Sequence, residues 1–166
     1  SDVCSSDLKL MGCGLRLGYG VVPDPVKESL QKIRFGGAPS HLAAMGVYQF
    51  LTDNREEYIT DVASSLRDSR DAMLGALDRH FPSNTSWSKP DGGMMLWVEL
   101  PEGADTLAAL PAAVEADVKY NPGPVFRAER DCANFLRLTY SHNSPEEIGE
   151  GIEILADVFK REGLFG

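Results

Sequence analysis

The segment NFLRLTY, residues 134–140, constrains the fold more than any other part of the chain. Its residues alternate in character, and successive side chains of a β-strand point to opposite faces of a sheet. The pattern predicts a strand whose leucines, Leu136 and Leu138, face a core together with Tyr140, while Arg137 lies on the other face. A guanidinium placed there is costly to bury without an anion. Either Arg137 forms a structural ion pair, or it binds the carboxylate of an acidic ligand.

The last helix is predicted by the segment SPEE, residues 144–147. Ser144 and Glu147 have the spacing of a capping box, in which each side chain bonds the backbone N–H of the other. Pro145 suits the first helical position, and Gly163 suits the end of the helix. The apolar stripe that follows consists of Ile148, Ile152, Leu155, Val158 and Phe159.

Short apolar segments separated by turn sequences follow one another between residues 82 and 140. Strands are predicted at 85–88 and 94–100. Residues 118–120 and 125–126 flank the turn NPGP, whose glycine, Gly123, can take a positive φ. An amphipathic helix is predicted at 106–117. Because long apolar runs typical of a buried parallel sheet are absent, we expect a small α+β domain with helices on one face of a mostly antiparallel sheet.

The first half of the chain has a different organisation. A strand is predicted at 15–22, followed by a helix at 26–35 with Asp24 and Pro25 at its start. Ser40 opens a helical region that extends to His80 and is either two helices or one long bent helix. Residues 9–36 resemble the tail of a larger α/β domain, which argues against a stand-alone binding module.

Composition and charge limit the classes of function. The chain of 166 residues has a formal net charge of -9, so we expect no nucleic acid partner for this segment. No apolar run approaches the roughly 20 residues that cross a bilayer, so we expect no membrane partner. Cys4, Cys13 and Cys132 lack the spacing of metal ligands. We therefore expect no metal and a reducing, cytoplasmic setting.

The glycine-rich segment KLMGCGLRLG, residues 9–18, has two interpretations. In the first, Lys9 is solvated and Arg16 lies at the edge of a strand. In the second, Lys9 forms a Schiff base and Arg16 binds a phosphate, with glycines allowing close approach of the backbone.

This segment resembles the cofactor-lysine region of the class I/II aminotransferases, fold type I enzymes that use pyridoxal 5′-phosphate (PLP). The family pattern there is S-x-S-K, followed after a few residues by P-G-L-R-L-G. Three further segments resemble family motifs and occur in the family's order: DGGMMLW at 91–97, VKYNPGPVF at 118–126 and NFLRL at 134–138.

The resemblance implies a role for four residues. Lys9 would be the catalytic lysine that holds PLP as a Schiff base and moves a proton, and Ser6 and Arg16 would bind the cofactor. Arg137 would bind the α-carboxylate of the substrate, so it is expected to converge with Lys9 on one small ligand. The substrates would be an amino acid and a 2-oxo acid, and the full-length protein would be a homodimer.

The resemblance also implies that the chain is the C-terminal part of a fold type I transferase, with an incomplete large domain and a small C-terminal domain. Residues 1–8, which show neither helical nor strand periodicity, are interpreted as a non-native scar. Residues 9–39 would be the tail of the large PLP-binding domain, 40–81 interdomain helices, and 82–166 the small α+β domain. An alternative is the aminotransferase-like effector domain of a GntR/MocR-type transcription regulator, whose DNA-binding domain would lie upstream.

We expect the isolated chain of 166 residues to have no transaminase activity. By the resemblance, the groups that stack on the pyridine ring, pair with its nitrogen and bond its phenolic oxygen lie upstream. The assay is turnover of an amino acid with 2-oxoglutarate, with a full-length aminotransferase as the positive control. Measurable turnover by the isolated chain would contradict this expectation.

Overall fold

The computed structural model describes residues 3–5, 15–33, 39–129 and 131–166. The chain divides into two compact units, residues 1–62 and 63–166. The four-segment division expected from the sequence stays a prediction.

Two short strands pair in the first unit. β1 (Val3–Ser5) lies antiparallel to β2 (Tyr19–Val21), with Val3 opposite Val21. The strand predicted at 15–22 is thus confirmed over its last part. β1 lies among residues 1–8, whose sequence shows no strand periodicity, since a strand of three residues is too short to show alternation. The non-native origin of residues 1–8 stays a prediction.

Helix α1 (Asp24–Ile33) begins two residues before the predicted start. The backbone N–H groups of Val26 and Lys27 both donate to the carbonyl of Pro23, at 3.0 Å. This closes the first turn, as expected where Asp24 and Pro25 begin a helix. The end predicted at residue 35 lies outside the described residues.

Helix α2 (His41–His80) is one continuous helix of 40 residues, so the two-helix alternative is wrong. Its start is capped as predicted, since Ser40 Oγ accepts the N–H of Ala43 at 3.3 Å. Thr52 and Asn54 lie inside this helix, and their side chains bond carbonyls one turn earlier: Thr52 Oγ1 donates to the carbonyl of Tyr48 and Asn54 Nδ2 to that of Phe50, at 2.8 and 3.0 Å.

Within the described residues, the second unit contains a four-stranded antiparallel sheet of order β3-β4-β6-β5. Its strands are β3 (Ser86–Trp87), β4 (Met95–Glu99), β5 (Asn121–Pro122) and β6 (Phe135–Thr139). The hairpin of β3 and β4 and the strand β6 confirm the sequence predictions. The turn predicted at 121–124 has a different structure: β5 covers its first two residues, and residues 123–126 form a 3-10 helix.

The core of the second unit lies on one face of this sheet. Leu96 and Val98 of β4 and Leu136 and Leu138 of β6 are buried, as the alternation predicts. Burying an aliphatic side chain of this size stabilises a fold by about 1.5–3 kcal/mol. The helical residues in the same cluster come from α2 and from α4 (Pro145–Arg161), and they include Met73, Leu77, Ile148, Ile152, Leu155, Val158 and Phe159.

Helix α3 (Leu110–Glu115) is shorter than the helix predicted at 106–117. Residues 106–109 form turns instead. Asp105 Oδ1 accepts the N–H groups of Leu107 and Ala108 at 2.9 and 3.0 Å. Together with the bond from the N–H of Ala109 to the carbonyl of Asp105, at 3.2 Å, these contacts close one capped turn, and the regular helix begins only at Leu110.

Both ends of α4 have the structure predicted from the sequence. Ser144 Oγ accepts the N–H of Glu147 at 3.2 Å, and Glu147 Oε2 accepts the N–H of Ser144 at 2.8 Å, which completes the capping box. At the other end Gly163 has a φ of +73°, and the N–H of Leu164 donates to the carbonyl of Phe159 at 2.9 Å. This is a Schellman motif, in which a glycine takes the left-handed conformation without strain.

Gly123 has a different role from the one predicted, because its φ is not in the left-handed region. A Cβ atom placed on it would collide with the carbonyl oxygen of Cys132 and would lie 2.8 Å from that of Phe135. Gly123 is therefore needed because the backbone passes close to β6, and not because of a turn conformation.

Replacing Gly123 with alanine should lower the free energy of unfolding by about 1–3 kcal/mol, since two backbone carbonyls must move to admit the methyl group. The matched control is Gly149→Ala in α4, where a Cβ meets no atom within 4 Å. That change should raise stability by about 0.5–1 kcal/mol, because alanine has the higher helix propensity. Urea unfolding measures both, and equal effects of the two changes would refute the steric argument.

Candidate functional site

Arg137 lies on the open face of the sheet of the second unit, in a row of three residues that crosses β4, β6 and β5. Trp97 is directly opposite Arg137 on one side, and Asn121 is opposite it on the other. Residues paired in this way point to the same face. Arg137 is half-buried and Trp97 is 38% exposed, whereas their neighbours Leu96 and Leu136 are buried in the core. The predicted placement of Arg137 on the non-core face is confirmed.

Two aromatic rings accompany the guanidinium of Arg137. Its Cζ atom lies 4.3 Å from the centroid of the Phe126 ring, within the range of a cation–π contact. Phe126 also meets Trp97 edge to face, with centroids 5.2 Å apart and an interplanar angle of 79°. We call Trp97, Phe126 and Arg137 the arginine–aromatic cluster.

The guanidinium of Arg137 has no hydrogen-bond or ion-pair partner among the described residues, and its Nε is buried. Its terminal nitrogens are not among the buried unpaired atoms of that part of the chain, so they keep contact with solvent. Arg70 behaves differently, because it forms an ion pair of 2.7 Å with Asp71 and donates to the carbonyl of Pro90 at 3.1 Å. The structural ion pair considered for Arg137 therefore has no partner in the described ranges.

The segment that carries Asn121 and Phe126 is anchored by Tyr120, which is fully buried. The Tyr120 hydroxyl donates to the carbonyl of Thr106 at 2.6 Å, and Thr106 Oγ1 in turn lies 2.8 Å from the carbonyl of Phe135 at the start of β6. Burial raises the pKa of Tyr120 above its ordinary value, and the nearby carboxylate of Asp105 raises it further. The neutral hydroxyl thus ties β5 to the strand that holds Arg137.

The other residues proposed for the site lie in the first part of the chain. Arg16 belongs to the first unit, is exposed, and has no hydrogen bond or ion pair among the described residues. Its φ of 51° is left-handed, which is uncommon for a residue other than glycine. Lys9 and Ser6 lie outside the described residues, so their roles, and the convergence of Lys9 with Arg137, stay predictions.

The two rings of the arginine–aromatic cluster were not predicted from the sequence. The chain has two tryptophans, and Trp87 packs against the core, where its ring meets that of Phe81 edge to face. Trp97 lies on the open face instead. The alternation of β4 contains the signal, since Trp97 stands between the two inward residues Leu96 and Val98. No comparable signal exists for Phe126, because it lies at the end of a 3-10 helix rather than in a strand.

Among the described residues, no group of three or more His, Cys, Asp or Glu side chains is arranged to hold a metal ion. None of the described helices has the length and apolar character required to span a membrane.

Comparison with known proteins identifies the family. Residues 5–155 match the family model described as aminotransferase class I and II. The chain belongs to this family. Aromatic-amino-acid aminotransferase 1 of Thermococcus litoralis is 42% identical to this aminotransferase-family chain over 107 residues, which cover 64% of the chain and 26% of that protein.

A solved structure gives the fold relationship. LysN, the alpha-aminoadipate aminotransferase of Thermus thermophilus, was crystallised as a complex with N-(5'-phosphopyridoxyl)-L-leucine. It superposes with a TM-score of 0.86 at 31% identity, over 95% of this chain and 41% of that one. The fold type I assignment is therefore confirmed.

Transcription regulators are also similar to this aminotransferase-family chain. An uncharacterized HTH-type transcriptional regulator of Bacillus subtilis, YdfD, is 26% identical over 155 residues, which cover 92% of the chain and 32% of that protein. The chain thus spans between about a quarter and two fifths of the length of the proteins it matches.

Replacing Tyr120 with phenylalanine should lower the free energy of unfolding by about 1–2 kcal/mol near neutral pH, because the carbonyl of Thr106 loses its donor. The variant should also respond less to alkaline pH. The folded protein holds the neutral phenol, so this stabilisation is complete below the ordinary tyrosine pKa of about 10 and is lost above it, at about 1.4 kcal/mol per pH unit.

Urea unfolding of both proteins between about pH 8 and about pH 11, a range centred on the ordinary tyrosine pKa, measures this difference. Tyr48→Phe, at a residue that is 73% exposed, is the control and should change neither quantity. Parallel pH curves for the wild type and the Tyr120→Phe variant would show that the phenol of Tyr120 does not contribute.

Proposed function

We propose that the full-length protein is a PLP-dependent aminotransferase, which transfers an amino group between an amino acid and a 2-oxo acid. The observation that carries the proposal is the guanidinium of Arg137. It is half-buried on a regular strand, has no anionic partner among the described residues, and keeps its terminal nitrogens in contact with solvent. An unpaired arginine in this setting is suited to a carboxylate that arrives as a ligand.

The described residues fit a phosphate-bearing cofactor. The exposed guanidinium of Arg16 has no partner in the described ranges, and its left-handed backbone is the kind of strain found at functional sites. Arg16 would hold the phosphate of PLP together with Ser6, and Lys9 would bind the cofactor covalently. PLP itself supplies an electron sink for the negative charge that develops when the Cα–H bond breaks.

The protein's own residues would bind, orient and move protons. Arg137 would hold the α-carboxylate through two parallel hydrogen bonds from its terminal nitrogens, which fixes the direction of the Cα–H bond. Lys9 would carry a proton between Cα of the substrate and C4′ of the cofactor. Trp97 and Phe126 would cover the guanidinium and limit access of water on their side.

The wider biological setting forms part of the same proposal. A homodimer, a cytoplasmic location and a role in amino acid metabolism or biosynthesis agree with the aminotransferases that the chain resembles. The proposed organisation is a large PLP-binding domain ending near residue 39, interdomain helices at 40–81 and a small domain at 82–166. The amino donor is left open, since the relatives named above act on aromatic amino acids in one case and on aminoadipate in another.

A second candidate is an effector domain of a GntR/MocR-type transcription regulator, which the similarity to YdfD favours. The two candidates differ in what precedes the matched region: a helix-turn-helix domain and linker, or a direct start of the catalytic domain. Recovery of the complete gene discriminates between them. Turnover of an amino acid by the complete product would support the enzyme, and specific binding of operator DNA without turnover would support the regulator.

Replacing Arg137 with alanine in the full-length protein should lower kcat/KM for amino acid donors by roughly 30- to 5000-fold. Removing one partner of a hydrogen-bonded charge pair costs about 2–5 kcal/mol, which corresponds to that range. Arg161→Gln is the control, because Arg161 is exposed at the end of α4 and outside the proposed site. Steady-state kinetics of both variants measure the difference. Unchanged kcat/KM in the Arg137 variant would remove this residue from the substrate site.

A further inference from the structure

Phe126 is an aromatic residue whose surroundings do not explain it as part of the core. Its side chain is 40% exposed, and it does not belong to the buried cluster of the second unit. Within the described residues, the ring contacts that the structure gives it are with the guanidinium of Arg137 and with the ring of Trp97. The core therefore does not hold this ring, and its contacts with Arg137 and Trp97 are the ones that define its position.

We propose that Phe126 is a positioning residue, which holds the guanidinium of Arg137 so that its two terminal nitrogens face the substrate carboxylate. This inference rests on the proposed function. Phe126 acts through Arg137 and is not assigned a contact with the reacting atoms.

Apart from the ring of Phe126, few contacts restrain the side chain of Arg137. A long arginine side chain has many rotamers, and ordering it reduces conformational entropy. Hydrogen bonds or an ion pair restrain most ordered arginines, but the described residues provide neither to Arg137. The remaining restraints are the buried Nε and the ring of Phe126, whose centroid lies 4.3 Å from Cζ. Trp97 holds the ring in turn through its edge-to-face contact.

An aromatic ring restrains Arg137 without occupying the N–H groups that would bind a substrate. A carboxylate beside Arg137 would also restrain it, but would neutralise its charge and occupy the N–H donors that the substrate needs. An aromatic face attracts the cation through its quadrupole and leaves the N–H edges in the plane of the guanidinium free. Because Nε is buried while the two terminal nitrogens are not, the edge of the guanidinium that a ligand can reach is the one formed by these terminal nitrogens. A substrate carboxylate would therefore approach end-on.

The test uses the full-length protein loaded with PLP and three variants: Phe126→Leu, Phe126→Tyr and Arg137→Ala. Two unreactive or poorly reactive ligands are compared by calorimetry. One is the 2-methyl analogue of the preferred amino acid donor, which has no Cα–H bond, and the other is the amine that lacks only the carboxylate. Comparison of the two ligands isolates recognition of the carboxylate from every other contact.

Phe126→Leu should weaken binding of the 2-methyl amino acid by roughly fivefold, as expected for loss of a cation–π contact, and leave binding of the amine unchanged. Phe126→Tyr keeps the aromatic face and should retain the affinity within about twofold. In kinetics, Phe126→Leu should raise KM for amino acid donors more than it lowers kcat. Phe165→Leu is the control, since the Phe165 ring contacts Phe81 and Phe159 rather than a cation.

The outcomes separate this inference from the proposed function. Equal weakening of both ligands by Phe126→Leu would indicate a general structural effect and would overturn the positioning role. Unchanged binding of the 2-methyl amino acid would overturn it as well. If Arg137→Ala weakens binding of the 2-methyl amino acid while Phe126→Leu does not, the substrate role of Arg137 stands and only the inference on Phe126 fails. If neither variant changes binding, the assignment of the carboxylate site fails first.

Discussion

The pairing of β4 with β6 is the interaction on which the candidate site depends. Five residue pairs are in register, from Met95 opposite Thr139 to Glu99 opposite Phe135. This register directs Leu96, Val98 and their partners into the core and the pair Trp97 and Arg137 to the other face. A slip of one residue would exchange the two faces, placing a guanidinium in the core. The energy of the hydrophobic core therefore also fixes the position of the functional side chain.

Contacts between β6 and the segment that contains β5 support this register. Tyr120 ties β5 to the start of β6 through the carbonyl and hydroxyl of Thr106. Gly123 then lets the chain pass close enough to β6 for Phe126 to reach the guanidinium. The geometry of the arginine–aromatic cluster is thus determined by backbone contacts between segments that are distant in sequence. Such contacts leave little freedom in where the ring can lie.

The sequence was sufficient to predict features that depend on neighbouring residues. The capping box at Ser144, the end of α4 at Gly163 and the inward leucines of β6 are encoded within a few positions, and all are confirmed. The family was also predictable, because its motifs recur in order along the chain. The position of Trp97 between the inward residues Leu96 and Val98 indicates the open face in the same local way.

Features that depend on distant residues were not predictable in the same way. Gly123 reads as a turn glycine, and only the proximity of β6 reveals its actual role. The later start of α3, at Leu110, also has no signal in the neighbouring residues, since Asp105 caps the turn before it. An ion-pair partner of Arg137 could come from any segment that folds near it. A local sequence pattern therefore cannot tell whether Arg137 has one. The candidate site was therefore located by sequence, but its supporting residues were found by structure.

The chemical composition of the arginine–aromatic cluster has a consequence for how the proposed site responds to its environment. A carboxylate or imidazole beside an arginine gains or loses a proton as conditions change, and it alters the local charge when it does so. Guanidinium groups stay protonated across the range in which proteins are folded, and benzene and indole rings do not titrate there. The residues of this cluster should consequently add no pH dependence of their own to the affinity for a carboxylate ligand. Any variation of the reaction with acidity would then originate in the ligand or in groups outside the cluster.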